Sequence, residues 1–304
     1  MRTVFVLGAL FLAGCTSSVV EGDEQNVTAT KYYDLDVRLA GDRLARWDAR
    51  REALIDSFDD VCGDTFCSGD YSNLTTVAVE CSVTQSDYVR ECSWILGGSI
   101  EYVDGATGTF KSDARMFACT IPVKAKVDVF LDALDEDPST VRAVMPATGQ
   151  SFYDGIATCL AGVVGQPPPA ATGSTYLELA DYFNENPDPG FWFGVRRGLN
   201  AAFASECDDT LCGETWQNIG ALRFVCATAS ATGEIQSCLW NFGVANTKVT
   251  TKGKVSSTRK IVGCPITASG GAVALEAALS GSDPLGVTLP GASKPLRDQL
   301  ADCL

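Results

Sequence analysis

The stretch Cys81-Ser-Val-Thr-Gln-Ser-Asp-Tyr-Val-Arg-Glu-Cys92-Ser-Trp94-Ile-Leu96 returns further along the chain as Cys226-Ala-Thr-Ala-Ser-Ala-Thr-Gly-Glu-Ile-Gln-Ser-Cys238-Leu-Trp240-Asn-Phe242. In each, two cysteines flank a short polar turn, Gln85-Ser86-Asp87 in the first and Ala231-Thr232-Gly233 in the second. Strand-forming residues lie on both sides of the turn, the pattern of a β-hairpin. Alternation with period two puts Cys92, Trp94 and Leu96 on one face, and Cys238, Trp240 and Phe242 on its equivalent, and that face is predicted to be the core. Outward from this hairpin, Cys62, Cys67, Cys81, Cys92, Cys119 and Cys159 match Cys207, Cys212, Cys226, Cys238, Cys264 and Cys303 at offsets of 145, 145, 145, 146, 145 and 144 residues. Trp47 with Trp192, Arg51 with Arg196, Leu54 with Leu199, Phe58 with Phe203, Asp64 with Asp209, Thr65 with Thr210 and Asn73 with Asn218 keep the same register. Such sustained spacing marks an internal duplication.

Each copy reads as a helix, three strands and then further helical segments. Leu44, Trp47, Leu54, Ile55 and Phe58 fall at helical spacing, repeated by Trp192, Val195, Leu199, Ala202 and Phe203, so each first helix presents one apolar stripe. The strands form an antiparallel meander. If Cys81 faces Cys92, the first turn centres between Ser86 and Asp87; if Cys92 faces Cys119, the second centres between Gly105 and Ala106. The expected fold class is α+β: two tandem homologous domains, each a small antiparallel sheet of about three strands, covered by helices and stapled by disulfides. Domain 1 is expected over 31–161 and domain 2 over 176–304, joined by a Pro-rich linker over 162–175 that contains Gly165-Gln166-Pro167-Pro168-Pro169.

The amino terminus reads as an export signal over 1–14: Arg2 supplies the positive region, and the apolar run Thr3 to Leu12 is too short to span a bilayer as a helix. Its end, Leu12-Ala13-Gly14-Cys15, resembles the lipobox of bacterial lipoproteins. That resemblance implies a diacylglyceryl and palmitate-bearing Cys15 as the lipid anchor to the membrane, with 15–30 as a flexible tether. Thr16 after the cysteine, in place of an aspartate, implies the outer membrane, facing the periplasm or the cell surface. Setting Cys15 aside leaves twelve of the thirteen cysteines, an even number in a chain bound for an oxidising compartment, and these are predicted to form disulfides. Directly opposed strand neighbours make poor disulfide geometry, so sheet cysteines are expected to pair with helix and loop cysteines, Cys119 with Cys159 first among them.

The chain carries 38 acidic against 23 basic residues and no histidine. A net charge of −15 argues against nucleic acid, whose phosphates need clustered Lys and Arg. The absence of histidine removes every Ser-His or Cys-His nucleophile pair and histidine-ligated zinc. No catalytic residue, metal ligand or cofactor site is predicted: Asp64 and Asp209 read as turn residues at helix ends, and the cysteines as staples. Phe191 and Phe193, flanking Trp192, exceed what one helix stripe can bury, and Lys252 and Lys254 lie in the basic segment Lys248 to Lys260; these four are the candidate partner-binding residues. The segment Cys62-Gly-Asp-Thr-Phe-Cys67-Ser-Gly-Asp-Tyr-Ser-Asn-Leu74 is loosely similar to uncharacterised cysteine-rich exported proteins of myxobacterial type, a resemblance that implies no activity. The second copy departs from it with Asp208 for the glycine and Trp216 for the tyrosine. The expected function is that of a non-catalytic cell-envelope lipoprotein whose duplicated domains bind a protein or polymer partner. The rival expectations are a carboxylate-based hydrolase resembling glycoside hydrolases, an inhibitor of exported proteases, and a structural envelope component without a discrete ligand.

Overall fold

The structure, a computed structural model, describes residues 30–65, 74–137, 139–163, 174–185, 192–207 and 215–304. The first copy runs β1 (Tyr32–Asp34), α1 (Leu35–Arg38), α2 (Asp42–Thr65), β2 (Thr75–Thr84), β3 (Tyr88–Val103), β4 (Phe110–Lys126), α3 (Val127–Glu136), a single 3-10 turn (Thr140–Arg142) and α4 (Phe152–Leu160). The second runs β5 (Tyr176–Glu178), α5 (Leu179–Glu185), α6 (Trp192–Glu206), β6 (Asn218–Ala229), β7 (Ile235–Val249), β8 (Val255–Ile266), α7 (Ala272–Leu279) and α8 (Leu296–Ala301). Each copy therefore holds a four-stranded antiparallel sheet, in the orders β1-β2-β3-β4 and β5-β6-β7-β8. The expected meander of three gains a short first strand: Tyr32–Asp34 pairs with Ser82–Thr84, and three residues are too few to show an alternation of their own.

The helices pack on one face of each sheet. In the first copy Trp47, Leu54 and Phe58 of α2 lie in one core with Cys81, Trp94, Leu96 and Cys119 of the sheet and Phe130, Phe152 and Ile156 of the later helices. Phe58 and Phe152 stand 5.5 and 5.7 Å from the Trp94 ring, separations at which tilted aromatic pairs attract. The second copy repeats this with Phe203 and Phe224 at 5.9 and 5.6 Å from Trp240. All four matched tryptophans are fully buried.

The opposite sheet faces, which alternation alone would leave to solvent, pack on one another, and residues 31–304 form one compact unit. β2 lies against β6, β4 against β8, β1 against β7 and β3 against β5, a set that is unchanged when the copies are exchanged, as a pseudo-two-fold relation requires. Burial on both faces is visible in β3, where Cys92 to Ser99 are buried without interruption. The layer between the sheets is thin: Val77, Ala78, Ile95 and Ala245, with Met116 and Ala118 against them. Gly97 and Gly243, equivalent in the two copies, let the sheets close. A Cβ on Gly97 would stand 2.7 Å from Leu222, and one on Gly243 3.2 Å from Val77, the position equivalent to Leu222.

The hairpin turns complete the join reciprocally. Gly253, between β7 and β8 at φ +72°, sits against the Tyr32 ring of β1, and its equivalent Gly108, at φ +69°, sits against Tyr176 of β5. The Ser82 hydroxyl donates to the Gly253 carbonyl at 2.6 Å, and the Tyr176 amide donates to the Gly105 carbonyl at 3.0 Å. Lys252 and Lys254 flank this contact; the Lys252 carbonyl accepts from Arg90, while both lysine side chains stay exposed.

Among the described residues four disulfides are complete: Cys81–Cys92, Cys119–Cys159, Cys226–Cys238 and Cys264–Cys303. The Cys119–Cys159 pair agrees with the sequence expectation, and Cys264–Cys303 is its equivalent. The expectation that opposed strand neighbours would not pair is overturned. Cys81 and Cys92 face each other across β2 and β3 with their Cα atoms 4.0 Å apart, as do Cys226 and Cys238. These are narrow cross-strand pairs, and a register shift follows close on each, between Ser82 and Val83 and between Ala227 and Thr228. Such bulges add local twist, and the narrow spacing lets the sulfurs meet. Cys119 faces Trp94, not Cys92, because the second turn centres one residue later than expected, held by Asp104 accepting from the Ala106 and Thr107 amides. Cys207 is also disulfide-bonded. Cys62 lies in α2, but its side chain, together with Cys67, Cys212, Cys15 and Phe191, lies outside the described residues.

Removal of the Cys119–Cys159 bridge (C119A/C159A) opens a loop of about 40 residues and is expected to cost about 4 kcal/mol, against about 3 kcal/mol for the short C81A/C92A loop; urea unfolding checks the order. Gly253→Ala strains a positive-φ turn and drives a methyl into the Tyr32 ring, so a loss of about 1–3 kcal/mol is expected in the same assay.

Candidate functional site

α6 commits Trp192, Val195, Leu199 and Phe203 to the core, which leaves Phe193, Arg196, Arg197, Asn200, Ala201 and Ala204 on the adjoining faces. β6 carries a register shift between Ala221 and Arg223, and a bulge of this kind re-aims the side chain beside it. Together they wall a cavity of about 680 Å³, within the size range of small-ligand sites. Both copies line it at equivalent positions: Ile55 with Asn200, Asp59 with Ala204, Leu74 with Ile219, Thr75 with Gly220, and Thr76 with Ala221. The cavity thus straddles the relation between the copies. Among the described residues its charge is one-sided: Arg196, Arg197 and Arg223 all come from the second copy, and Asp59 is the single carboxylate in the lining.

Behind the cavity wall Arg223 lies between two buried carboxylates. Its Nε is 3.6 Å from Glu101 of β3 and its Nη2 3.7 Å from Glu178 of β5, beyond hydrogen-bond length. Glu101 also accepts from the Asn241 amide, which in turn reaches Ser112 at 3.2 Å. Burial pushes both Glu101 and Glu178 above the usual carboxylate range, as low dielectric disfavours the charged form. Burial, and then the neighbouring Arg223 charge, push Arg196 down. Arg196 Nη1, Arg223 Nε, Glu101 Oε2 and Glu178 Oε1 are buried without a hydrogen-bond partner among the described residues, a concentration of unmet polar atoms that native interiors rarely carry without a functional reason.

A second polar cluster lies at the edge of the first sheet, where carboxylate oxygens of Asp34, Asp36 and Glu80 come within 4.8 Å of one another. Asp36 accepts from the Trp47 indole and pairs with Arg51. Glu80 hydrogen-bonds Asp34 and, through burial first and the adjacent Asp34 charge second, is pushed up to about 8; two carboxyl groups this close share a proton more readily than both ionise.

Of the residues singled out from sequence, Phe193 stands at the cavity with 53% of its surface exposed. Lys252 and Lys254 sit at the hairpin clasp, not at the cavity. Asp64 and Asp209 fall outside what the described side chains cover. Sequence reasoning missed Arg223, Glu101 and Glu178. Their signal was a charge inside a strand-forming run: Arg223 interrupts Ala221 to Val225, and Glu101 ends the apolar run from Trp94 to Ile100. No protein-family model, no curated protein and no solved structure matches this chain.

The fold prefers Glu80 protonated, so the stabilisation it supplies is full below the unfolded value near 4.5 and is lost as the pH rises through about 8. Denaturant unfolding across the span from about pH 4 to about pH 9 is expected to show stability falling through this window, and Glu80→Gln is expected to flatten the decline. An unchanged slope in the variant would assign the decline to other groups.

Proposed function

We propose that this chain is a non-catalytic cell-envelope lipoprotein, anchored in the outer membrane through Cys15, that binds a protein or polymer partner at the cavity between its duplicated halves. The observation that carries the binding reading is the lining itself: both copies build the cavity, apolar walls surround a few polar groups, and among the described residues one carboxylate faces it. An acid-base hydrolase needs two carboxylates across the reacting bond, and the nearby pair, Glu101 and Glu178, is buried behind the wall with Arg223 between them. The hairpin tips at Gly108 and Gly253 are packed on the opposite copy and do not serve as the protruding loop that a protease inhibitor presents. No helix among the described residues is long and apolar enough to cross a membrane, and the lipid supplies the attachment in this reading. Two or more acyl chains on Cys15 give stable anchoring.

Two measurements test this. Radiolabelled palmitate is expected to enter the wild type and not Cys15→Ser, which should leave the membrane fraction; equal labelling of both forms refutes the anchor. For the cavity, fragments of envelope polymers at a hundredfold excess over their Kd are expected to stabilise the purified protein by about 2.7 kcal/mol, a rise of about 5–10 °C in Tm. Ala204→Trp, placed on an exposed position of the cavity wall, should abolish that rise. Equal shifts in both proteins, or fragments cleaved during incubation, contradict the reading.

A further inference from the structure

We infer that the cavity takes an organic anion, with a carboxylate or phosphate group held between Arg196 and Arg223 and an apolar body lying along Phe193, Leu74 and Ile219. The inference rests on the cavity being the binding site. Its first support is charge. The chain carries −15 overall, yet among the described residues its cavity lining has three arginines against one aspartate. Cationic lining in an acidic protein gives a focused local field that draws in anions.

The second support is the arrangement of the two inner arginines. Arg196 and Arg223 are close enough for the charge of the second to depress protonation of the first, and Arg196 Nη1 is buried without a hydrogen-bond partner among the described residues, whereas Arg223 Nε faces Glu101 at 3.6 Å. Two half-buried guanidinium groups in the same lining repel each other and are both favoured by a shared oxyanion, whose geometry matches the guanidinium fork. Glu101 and Glu178 do not fill that role. They stand 3.6 and 3.7 Å from Arg223, outside the described lining, and although both also act on Arg196, burial draws them toward the neutral form. They hold the position of Arg223, which is itself part of the cavity lining. Arg196 is fixed from the other side by the Phe193 ring, 5.0 Å from its guanidinium carbon.

The third support is the departure from pseudo-symmetry. The first-copy positions equivalent to Arg196, Arg197 and Arg223 are Arg51, Glu52 and Ala78. Arg51 is engaged by Asp36 and Asp48, and Ala78 is part of the apolar layer between the sheets. Packing of the sheets is satisfied by alanine at this place, so packing does not account for an arginine at the equivalent one.

Calorimetric titration of the whole mature chain with octanoate, octyl phosphate and octanol tests the inference, since the three probes share a body and differ in head group. At least one anion is expected to bind one to one, about ten- to a hundredfold more tightly than octanol, the span of one charge-assisted hydrogen bond; which anion binds tighter identifies the head group. Arg196→Gln, and Arg223→Gln combined with Glu101→Gln and Glu178→Gln so that neither buried acid is stranded, should bring the anions down to the octanol level. If those variants do not fold, Arg197→Gln at the exposed rim should still weaken the anions about two- to fivefold, as a partly screened charge would. Octanol binding as tightly as both anions would overturn the anion assignment and leave the cavity reading intact. Absence of binding by all three would overturn the anion assignment, and undiminished binding to Ala204→Trp would overturn both.

Discussion

Two sheets can lie against each other only if their facing side chains leave room, and in this chain that room is set by a few small residues. Gly97 sits where Leu222 of the opposite copy comes closest, and Gly243 where Met116 and Val77 do; alanines fill much of the remaining layer. From this contact follow the uninterrupted burial of the central strands, the exclusion of the helices to the two outer faces, and the meeting of the hairpin tips with the first strands. It also fixes where the copies cannot close: beside the layer, where α2, α6 and the starts of β2 and β6 converge, the cavity remains.

Outside the shared layer each copy is self-sufficient. A matched tryptophan from the long helix (α2 or α6) and another from the third strand stack on phenylalanines of the surrounding elements, and one disulfide ties the fourth strand to the last helical segment while another joins neighbouring strands. Covalent ties of this sort act mainly on the unfolded chain by shortening its free loops, so they stabilise the fold without dictating how the copies meet. The meeting is left to packing and to a handful of polar contacts, of which Ser82 with Gly253 is the best placed.

The duplication, the helix stripes, the core tryptophans and the hairpin around Cys81 and Cys92 were all legible in the sequence, because spacing of large apolar residues is a local property. The face-to-face stacking was not. Period-two reasoning assigns one buried face per strand, and the run Trp94-Ile-Leu-Gly-Gly98 that signals two is ambiguous without knowing what covers it. The cross-strand disulfides escaped for a similar reason: the bulge that narrows the strands depends on how they twist in the assembled sheet. Of the candidate site only Phe193 was reached, since Arg223 and Glu101 read as isolated charges until the sheets bring them together. The pair Lys252 and Lys254 drew notice as a basic patch, and its place beside Gly253 reflects a turn that the opposite copy receives.

The reciprocal clasp bears on how the molecule is assembled at birth. A chain is synthesised from its amino terminus, so the first half is complete while the strands that must cover its inner face are still unmade. Val77, Ile95 and the Tyr32 ring then stand bare to the surroundings, an oily plate with no lid, and any second newborn molecule at the same stage offers the same plate. The order of the gene therefore sets an interval during which the correct neighbour is the one still to be made.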